Sequence, residues 1–220
     1  MRYQKKSVDR REARGAETRR NITAAVWQVM AADGLAALTV RRVGEVADIS
    51  HAMVHYHFDD KSALIRSVVP YARHYWISPL EELLVTDLDP VYKLDRVISW
   101  MAEPATREVM RVHRQLLSQS EFDDELRQAM AGEYRVWRGL YIRLFEDLRR
   151  AGALVDNVDV EILGSGFSEL ADHLVGKQAL DPAIDAEAIM RQMIRPFLAD
   201  VAAQEVVSEA SPVGASRGAL

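Results

Sequence analysis

The strongest constraint in this sequence is the spacing of its turn signals between Asp33 and Lys61. Upstream, Ile22, Ala25, Val26, Val29 and Met30 recur at helical spacing in a segment that starts near Glu17. Asp33-Gly34 ends that helix, because glycine accepts the backbone conformation of a C-cap. Thr39 then suits an N-cap for a short helix over 40–47, with Val43, Val46 and Ala47 inward. Asp48-Ile49-Ser50 makes a tight turn, and Ser50 caps a second short helix to about His57. Phe58-Asp59-Asp60 breaks it, and a longer helix begins at Lys61 with Leu64, Ile65, Val68 and Val69 on one side. Two short helices joined by a three-residue turn and resting on a third are a helix-turn-helix. Val43, Val46, Ile49, Val54 and Phe58 form its small core, which lets the second helix stand proud. That leaves His51, Ala52, Met53, His55, Tyr56 and His57 outward, a polar, aromatic and small mixture that suits base edges and phosphates.

The rest of the chain shows no strand alternation and no internal repeat, so the fold class is all-α. Glycine and proline divide it into helices over 61–86, 91–102, 104–119, 122–151, 158–179 and 185–204, with Pro70 as a kink. Residues 1–16 are polar and basic without an apolar period and read as a disordered arm. The Ser/Gly/Ala/Pro-rich end over 204–220 reads as a disordered tail. The expected organisation is a helix-turn-helix domain over 17–66 and a larger helical domain over 67–203.

The overall charge of −5 is unpromising for a nucleic-acid binder, but its distribution is not. Residues 1–66 hold twelve Lys and Arg against eight Asp and Glu, a net +4, and the remainder nets −9. A basic head on an acidic body places cations only where phosphates would be met. With no cysteine, disulfides and cysteine-ligated metal are excluded. No stretch approaches the ~18 apolar residues of a membrane span, and a cytoplasmic location is expected. His51 and His55 are four apart, as in some zinc sites, but no acidic third ligand follows at helical spacing, so no metal is expected. No nucleophile elbow, phosphate loop, Glu-x-x-His pattern or dinucleotide glycine motif occurs, so neither an enzyme nor a cofactor is expected.

The run from Thr39 through Val43, Ala47, Asp48, Ile49, Ser50, Tyr56, His57, Phe58 and Lys61 to Leu64 resembles the DNA-binding domain of the TetR family. The resemblance covers about residues 17–66. It implies a homodimeric regulator of transcription that binds double-stranded operator DNA, by default a repressor. It further implies roles for single residues. Arg41 would reach a guanine edge or a phosphate, and Thr39 would offer its hydroxyl to a phosphate. His51, Ala52 and Met53 would meet bases, and His55, Tyr56 and His57 would lie near the backbone. Lys61 would meet phosphate at the start of its helix. Arg10, Arg11 and Arg14 would extend the contact from the arm. The chain departs from the family pattern at Gly44, Asp48, Ala52 and His55. Asp48 stands at a turn glycine and should survive there, since Asp tolerates positive φ. Gly44 stands at a usual alanine and should be tolerated in a short packed helix.

Beyond residue 66, the stripe Phe122, Leu126, Ala129, Met130, Tyr134, Trp137, Leu140, Tyr141, Leu144 and Leu148 reads either as core or as the wall of a pocket. The candidate effector-binding residues are Trp100, His113, Tyr134, Trp137, Tyr141 and Phe167. The segment from Glu169 to Asp181 is loosely similar to the C-terminal domain of BetI-type choline-responsive repressors. That similarity raises a quaternary ammonium, held by aromatic faces with Glu103 or Asp172. Arg111, His113, Arg114 and Arg138 would equally suit an anion. In the resembled family the last two helices pair with those of a second copy. Here Gly164, Gly166 and Ala171 would permit close approach. Ile162, Phe167, Leu170, Leu174, Ile189, Met193, Ile194, Phe197 and Leu198 would fill the seam. Helix 61–86 would be the lever between effector and DNA. The alternatives are a helix-turn-helix protein without an effector and, more distantly, an α-helical enzyme.

Overall fold

A computed structural model describes residues 2–199, with side chains from residue 12 onward. The expected tail over 204–220 lies outside the described residues. Among the described residues ten α-helices span α1 Arg2–Ala32, α2 Val40–Ala47, α3 His51–His57, α4 Lys61–Trp76 and α5 Ser78–Leu84, then α6 Pro90–Ala102, α7 Pro104–Ser120, α8 Asp124–Arg150, α9 Val160–Gln178 and α10 Ala186–Ile194. The protein is all-α, and an N-terminal helix-turn-helix precedes the larger helical part. The one β-type feature among the described residues is a bridge between Leu154 and Leu198.

The chain forms two compact units. One, here the head, comprises the residues up to Trp76 together with Arg111–Glu133. The second comprises Ile77–Met110 together with the residues from Tyr134 onward. The head is therefore larger than the local pattern over 17–66 suggests, and α7 and α8 each contribute residues to both units. In the head, α1 packs on α2 and α4, and α2 packs on α3. Ile22, Val26, Met30, Leu38, Val43, Val54 and Val68 are fully buried there. In the second unit α6, α9 and α10 pack on one another around Leu94, Val97, Ile98, Ala171, Val175 and Met190.

Several element boundaries differ from the sequence reading, each for a local reason. Residues 2–16 continue α1 instead of forming an irregular arm. They lack an apolar period, but they are rich in Arg, Lys and Ala and contain no proline, so propensity alone extends the helix. The expected helix 61–86 is two helices with a break at Ile77, because Pro79 starts a new helix near its N-terminus. Pro70, by contrast, sits inside α4. The expected helix 185–204 ends at Ile194, where Arg195–Phe197 tightens into a 3-10 turn containing Pro196. Phe122 precedes α8 and is 82% exposed, so it is no part of the stripe.

Candidate functional site

The helix-turn-helix is built from local backbone chemistry. Thr39 adopts extended backbone, and its Oγ1 accepts the amide of Arg42 at 3.1 Å, opening α2. Asp48 closes α2 in the left-handed region at φ 55°, the role that glycine fills more often. Ser50 Oγ accepts the amide of Met53 at 3.3 Å, opening α3. Val54 and Phe58 point inward and are buried, and Val46 and Ile49 are half-buried. His51, Ala52, Met53, His55 and Tyr56 are exposed along α3, with Tyr56 76% open to solvent. His57 is half-buried, with the Tyr56 ring edge-on to it at 5.1 Å.

The cations around this face are not equivalent. Arg42 donates to Asp33 from Nε at 3.1 Å and Nη2 at 2.9 Å, and that hydrogen bond first, then the charge of Asp33, raises its already high pKa. Arg41 makes one loose pair with Glu45 at 3.5 Å and its side chain is 77% exposed. Exposed pairs of this kind contribute little, so Arg41 is available to a polyanion and Arg42 is committed. Thr39 uses its oxygen as an acceptor, which leaves its O–H to donate elsewhere. Lys61 donates to the carbonyl of Leu35 at 3.3 Å, and Asp60, not an external anion, takes the Ala63 amide at the start of α4 at 2.6 Å. Arg14 is exposed on α1; the side chains of Arg10 and Arg11 lie outside the described residues.

Sequence reasoning missed two side chains of α1 that hold this motif from behind. Arg19 Nη1 donates to the carbonyl of His57 at 2.6 Å, with its guanidinium carbon 4.1 Å from the centre of the Phe58 ring. Asn21 Nδ2 donates to the carbonyl of Ala47 at 3.0 Å. Their partners lie 38 and 26 residues away, so no local pattern marks them.

The six candidate effector residues do not form one group. Trp100, Trp137, Tyr141 and Phe167 form an aromatic run in the second unit, with centroids 6.2, 4.9 and 5.9 Å apart in turn. Phe145, absent from the sequence reading, extends it at 5.5 Å from Phe167. The Tyr141 hydroxyl is fully buried without a hydrogen-bond partner. Burial, helped by the charge of Asp172, pushes its pKa up. A cleft of about 180 Å³ between α5 and α6 adjoins Trp100, lined also by Leu80, Leu83, Arg96 and Val97. Tyr134 is instead 43% exposed and hydrogen-bonds Glu169. His113 belongs to the head unit, where it stacks on Trp76 at 4.9 Å. Burial, and secondarily Arg114, lowers its pKa to about 4.

On α9 and α10, Ile162, Ile189 and Met193 are exposed, as is Phe197 just beyond. Phe167, Ile194 and Leu198 are buried within their own unit, and Leu170 and Leu174 are half-buried. Gly164 does allow a close approach, but to the backbone of Ile142 on α8 of the same chain. Among the described residues no group of three His, Asp or Glu is placed to hold a metal ion, and no helix is long and apolar enough to cross a membrane.

A family model described as bacterial regulatory proteins, tetR family, matches residues 22–68, the stretch from α1 to α4 that builds this motif. A probable HTH-type transcriptional regulator, ArpR, of Pseudomonas putida is 23% identical over 186 residues, which are 80% of this chain and 86% of that one. A TetR-family transcriptional regulator of Agrobacterium tumefaciens superposes with a TM-score of 0.72 at 19% identity, covering 84% of this chain and 100% of that chain. A regulator structure from Saccharomonospora viridis, in complex with choline, superposes with a TM-score of 0.76 at 20% identity, covering 84% and 99%.

Proposed function

The chain belongs to the TetR family of bacterial transcriptional regulators, and from that membership we propose that it is a repressor, a homodimer released from operator DNA by a small-molecule effector. The observation that carries this reading is α3: a capped, protruding helix whose buried side is Val54 and whose outer side is His51, Ala52, Met53, His55 and Tyr56. Thr39, Arg41, His57 and Lys61 surround it and would meet the phosphate backbone. Two such helices must meet half-sites about one turn of duplex apart, ~34 Å, which requires a dimer. The exposed Ile162, Ile189, Met193 and Phe197 support α9 and α10 as its seam. The effector would lie along Trp100, Trp137, Tyr141 and Phe167, faces that suit an organic cation or an apolar ring. The choline complex of the Saccharomonospora viridis structure supports a small molecule in this fold. Release requires that the effector bind the DNA-free arrangement more tightly than the DNA-bound one. Helix 61–86, the expected lever, is broken at Ile77, so α4 ends where the first unit ends.

Fluorescence anisotropy with the protein's own promoter tests the DNA half of the proposal. Binding should be sequence-preferring and should weaken steeply with salt. Arg41→Ala and Tyr56→Ala should each weaken it roughly tenfold at unchanged helicity and dimerisation. Binding that ignores sequence would end the reading. Thermal shift against choline and against amphipathic carboxylates tests the other half. A true effector at a hundred times its Kd adds about 2.7 kcal/mol of stability, and Trp137→Ala should abolish the shift.

A further inference from the structure

We propose that Arg19, with Asn21, is a positioning residue for operator recognition: α1 fixes the angle of the recognition helix by holding the C-terminal ends of both helices of the motif. This inference rests on the DNA-binding reading above.

The argument begins with helix length. α2 has eight residues and α3 has seven, too short to persist without outside support. Each ends in carbonyls that no amide of its own helix can reach. Val54 O accepts the amide of Phe58, and His57 O accepts Arg19. At the end of α2, Glu45 O accepts the amide of Asp48, and Ala47 O accepts Asn21. One helix therefore closes both ends, from two positions that point away from α1 in different directions.

Arg19 is suited to more than a bond. Its guanidinium lies over the Phe58 ring at 4.1 Å while Nη1 meets His57 O. Both contacts come from one rigid plane, so together they fix the end of α3 in direction as well as distance. A cation at this end also complements the helix dipole. A lysine could keep the charge, but it could not stack and donate from one plane.

The rival role for an exposed arginine on a DNA-binding head is a simple phosphate contact. The two roles differ in what they discriminate. A phosphate contact strengthens every duplex alike and adds to the salt dependence. A positioning contact matters only where side chains must register with particular base edges.

The full-length wild type is first used to recover a preferred duplex from a random library. That duplex and a scrambled one of equal length are then titrated by anisotropy across salt with wild type, Arg19→Lys, Arg19→Gln and Asn21→Ala. Arg19→Lys is expected to bind the recovered duplex roughly tenfold more weakly, about 1.4 kcal/mol. Its affinity for the scrambled duplex and its salt slope should match wild type. Arg19→Gln should lose at least as much on the recovered duplex, and Asn21→Ala roughly threefold. Far-ultraviolet circular dichroism checks folding, and if Arg19→Gln does not fold, Arg19→Lys and Asn21→Ala decide. The inference is overturned if Arg19→Lys behaves as wild type while Arg19→Gln weakens both duplexes equally with a slope smaller by about 0.9, the signature of one phosphate. It is equally overturned if no variant changes the ratio between the two duplexes. A wild type that recovers no preferred duplex overturns the DNA-binding reading itself, and this inference with it.

Discussion

The two compact units share both kinds of polar contact, since Arg66 and Arg73 of the head pair with Asp123 and Glu133 and Lys93 of the second unit donates to the carbonyls of Leu84 and Thr86, but they differ in where each kind is placed. In the head, side chains reach across to backbone carbonyls: Arg19 to His57, Asn21 to Ala47, Lys61 to Leu35, Arg111 to Ala31 and Gln115 to Met30. In the second unit the most deeply placed charge is satisfied by other side chains. Arg191, 2% exposed, pairs with Asp95 and donates to Glu187 at 2.7 Å and to Ser99 at 3.0 Å. A carbonyl is present whatever residue carries it, so the head's arrangement leaves the outer face of α3 free to vary. The Arg191 network works only with its particular partners, and it ties α10 to α6. The head is braced around a variable surface, and the second unit is locked around a fixed interior.

The largest expected effect tests the lock. Arg191→Leu leaves Asp95, 7% exposed, without its countercharge. Loss of one partner of such a buried pair costs about 3–5 kcal/mol, measured by denaturant unfolding. Replacing Asp95 by Leu as well should recover most of that loss, because two apolar side chains need no partner. A loss near 1 kcal/mol, typical of a single ordinary hydrogen bond, would erase the contrast between the units.

The next effect comes from a titratable ring of the head whose buried nitrogen lacks such support. His113 Nδ1 is buried without a hydrogen-bond partner, and the ring's pKa is lowered from 6.5 to about 4. Above pH 6.5 the imidazole is neutral both folded and unfolded, so it contributes no pH dependence. Between 6.5 and 4 the unfolded chain takes up a proton that the folded chain does not, and stability falls as the pH falls. Below 4 the loss levels off at up to about 3 kcal/mol. His113→Phe keeps a ring against Trp76 and removes the proton. Its melting temperature should therefore rise relative to wild type as the pH is lowered from 7 to 4.5. A gap that stays constant with pH would show that His113 is protonated where it lies.

These contrasts also explain what could be read in the sequence. The helix-turn-helix was legible because its determinants are neighbours: Thr39 caps Arg42, Ser50 caps Met53, and Asp48 turns the chain between them. The aromatic run was legible in part, since Trp137 and Tyr141 are one helical turn apart. Helical spacing could not show that Tyr134 faces solvent or that His113 belongs to the head. The Arg191–Asp95 pair spans 96 residues, and no periodicity announces it. Pro79 and Pro196 were visible as letters, but apolar periods running past them outweighed them. Residues 2–16 went the other way: without a period they resembled an arm, and propensity made them helix.

Gly44 shows how far the head's tolerance extends, and it carries the smallest expected effect on stability. A Cβ at Gly44 would stand 2.9 Å from the carbonyl oxygen of Ile49 and 3.4 Å from the His51 ring. The neighbour is backbone, because the turn folds back to bond Ile49 N to Gly44 O at 3.0 Å. Gly44→Ala gains about 1 kcal/mol of helix propensity, and the crowding opposes it with about 1–3 kcal/mol. The net loss should be about 1 kcal/mol. Gly164→Ala in the second unit meets the Ile142 backbone at 2.8 Å and should lose a similar amount. The two differ in what must move. Crowding at Gly164 displaces α9 against α8. Crowding at Gly44 pushes on the turn that starts α3, and so on the height of His51, Ala52 and Met53. At concentrations where both variants keep the oligomeric state of the wild type, Gly44→Ala should lose operator affinity well beyond its stability loss, and Gly164→Ala should lose none. Equal affinities in the two variants would mean that the turn gives way without moving the recognition helix, and the bracing of the head would then lie in α1 alone.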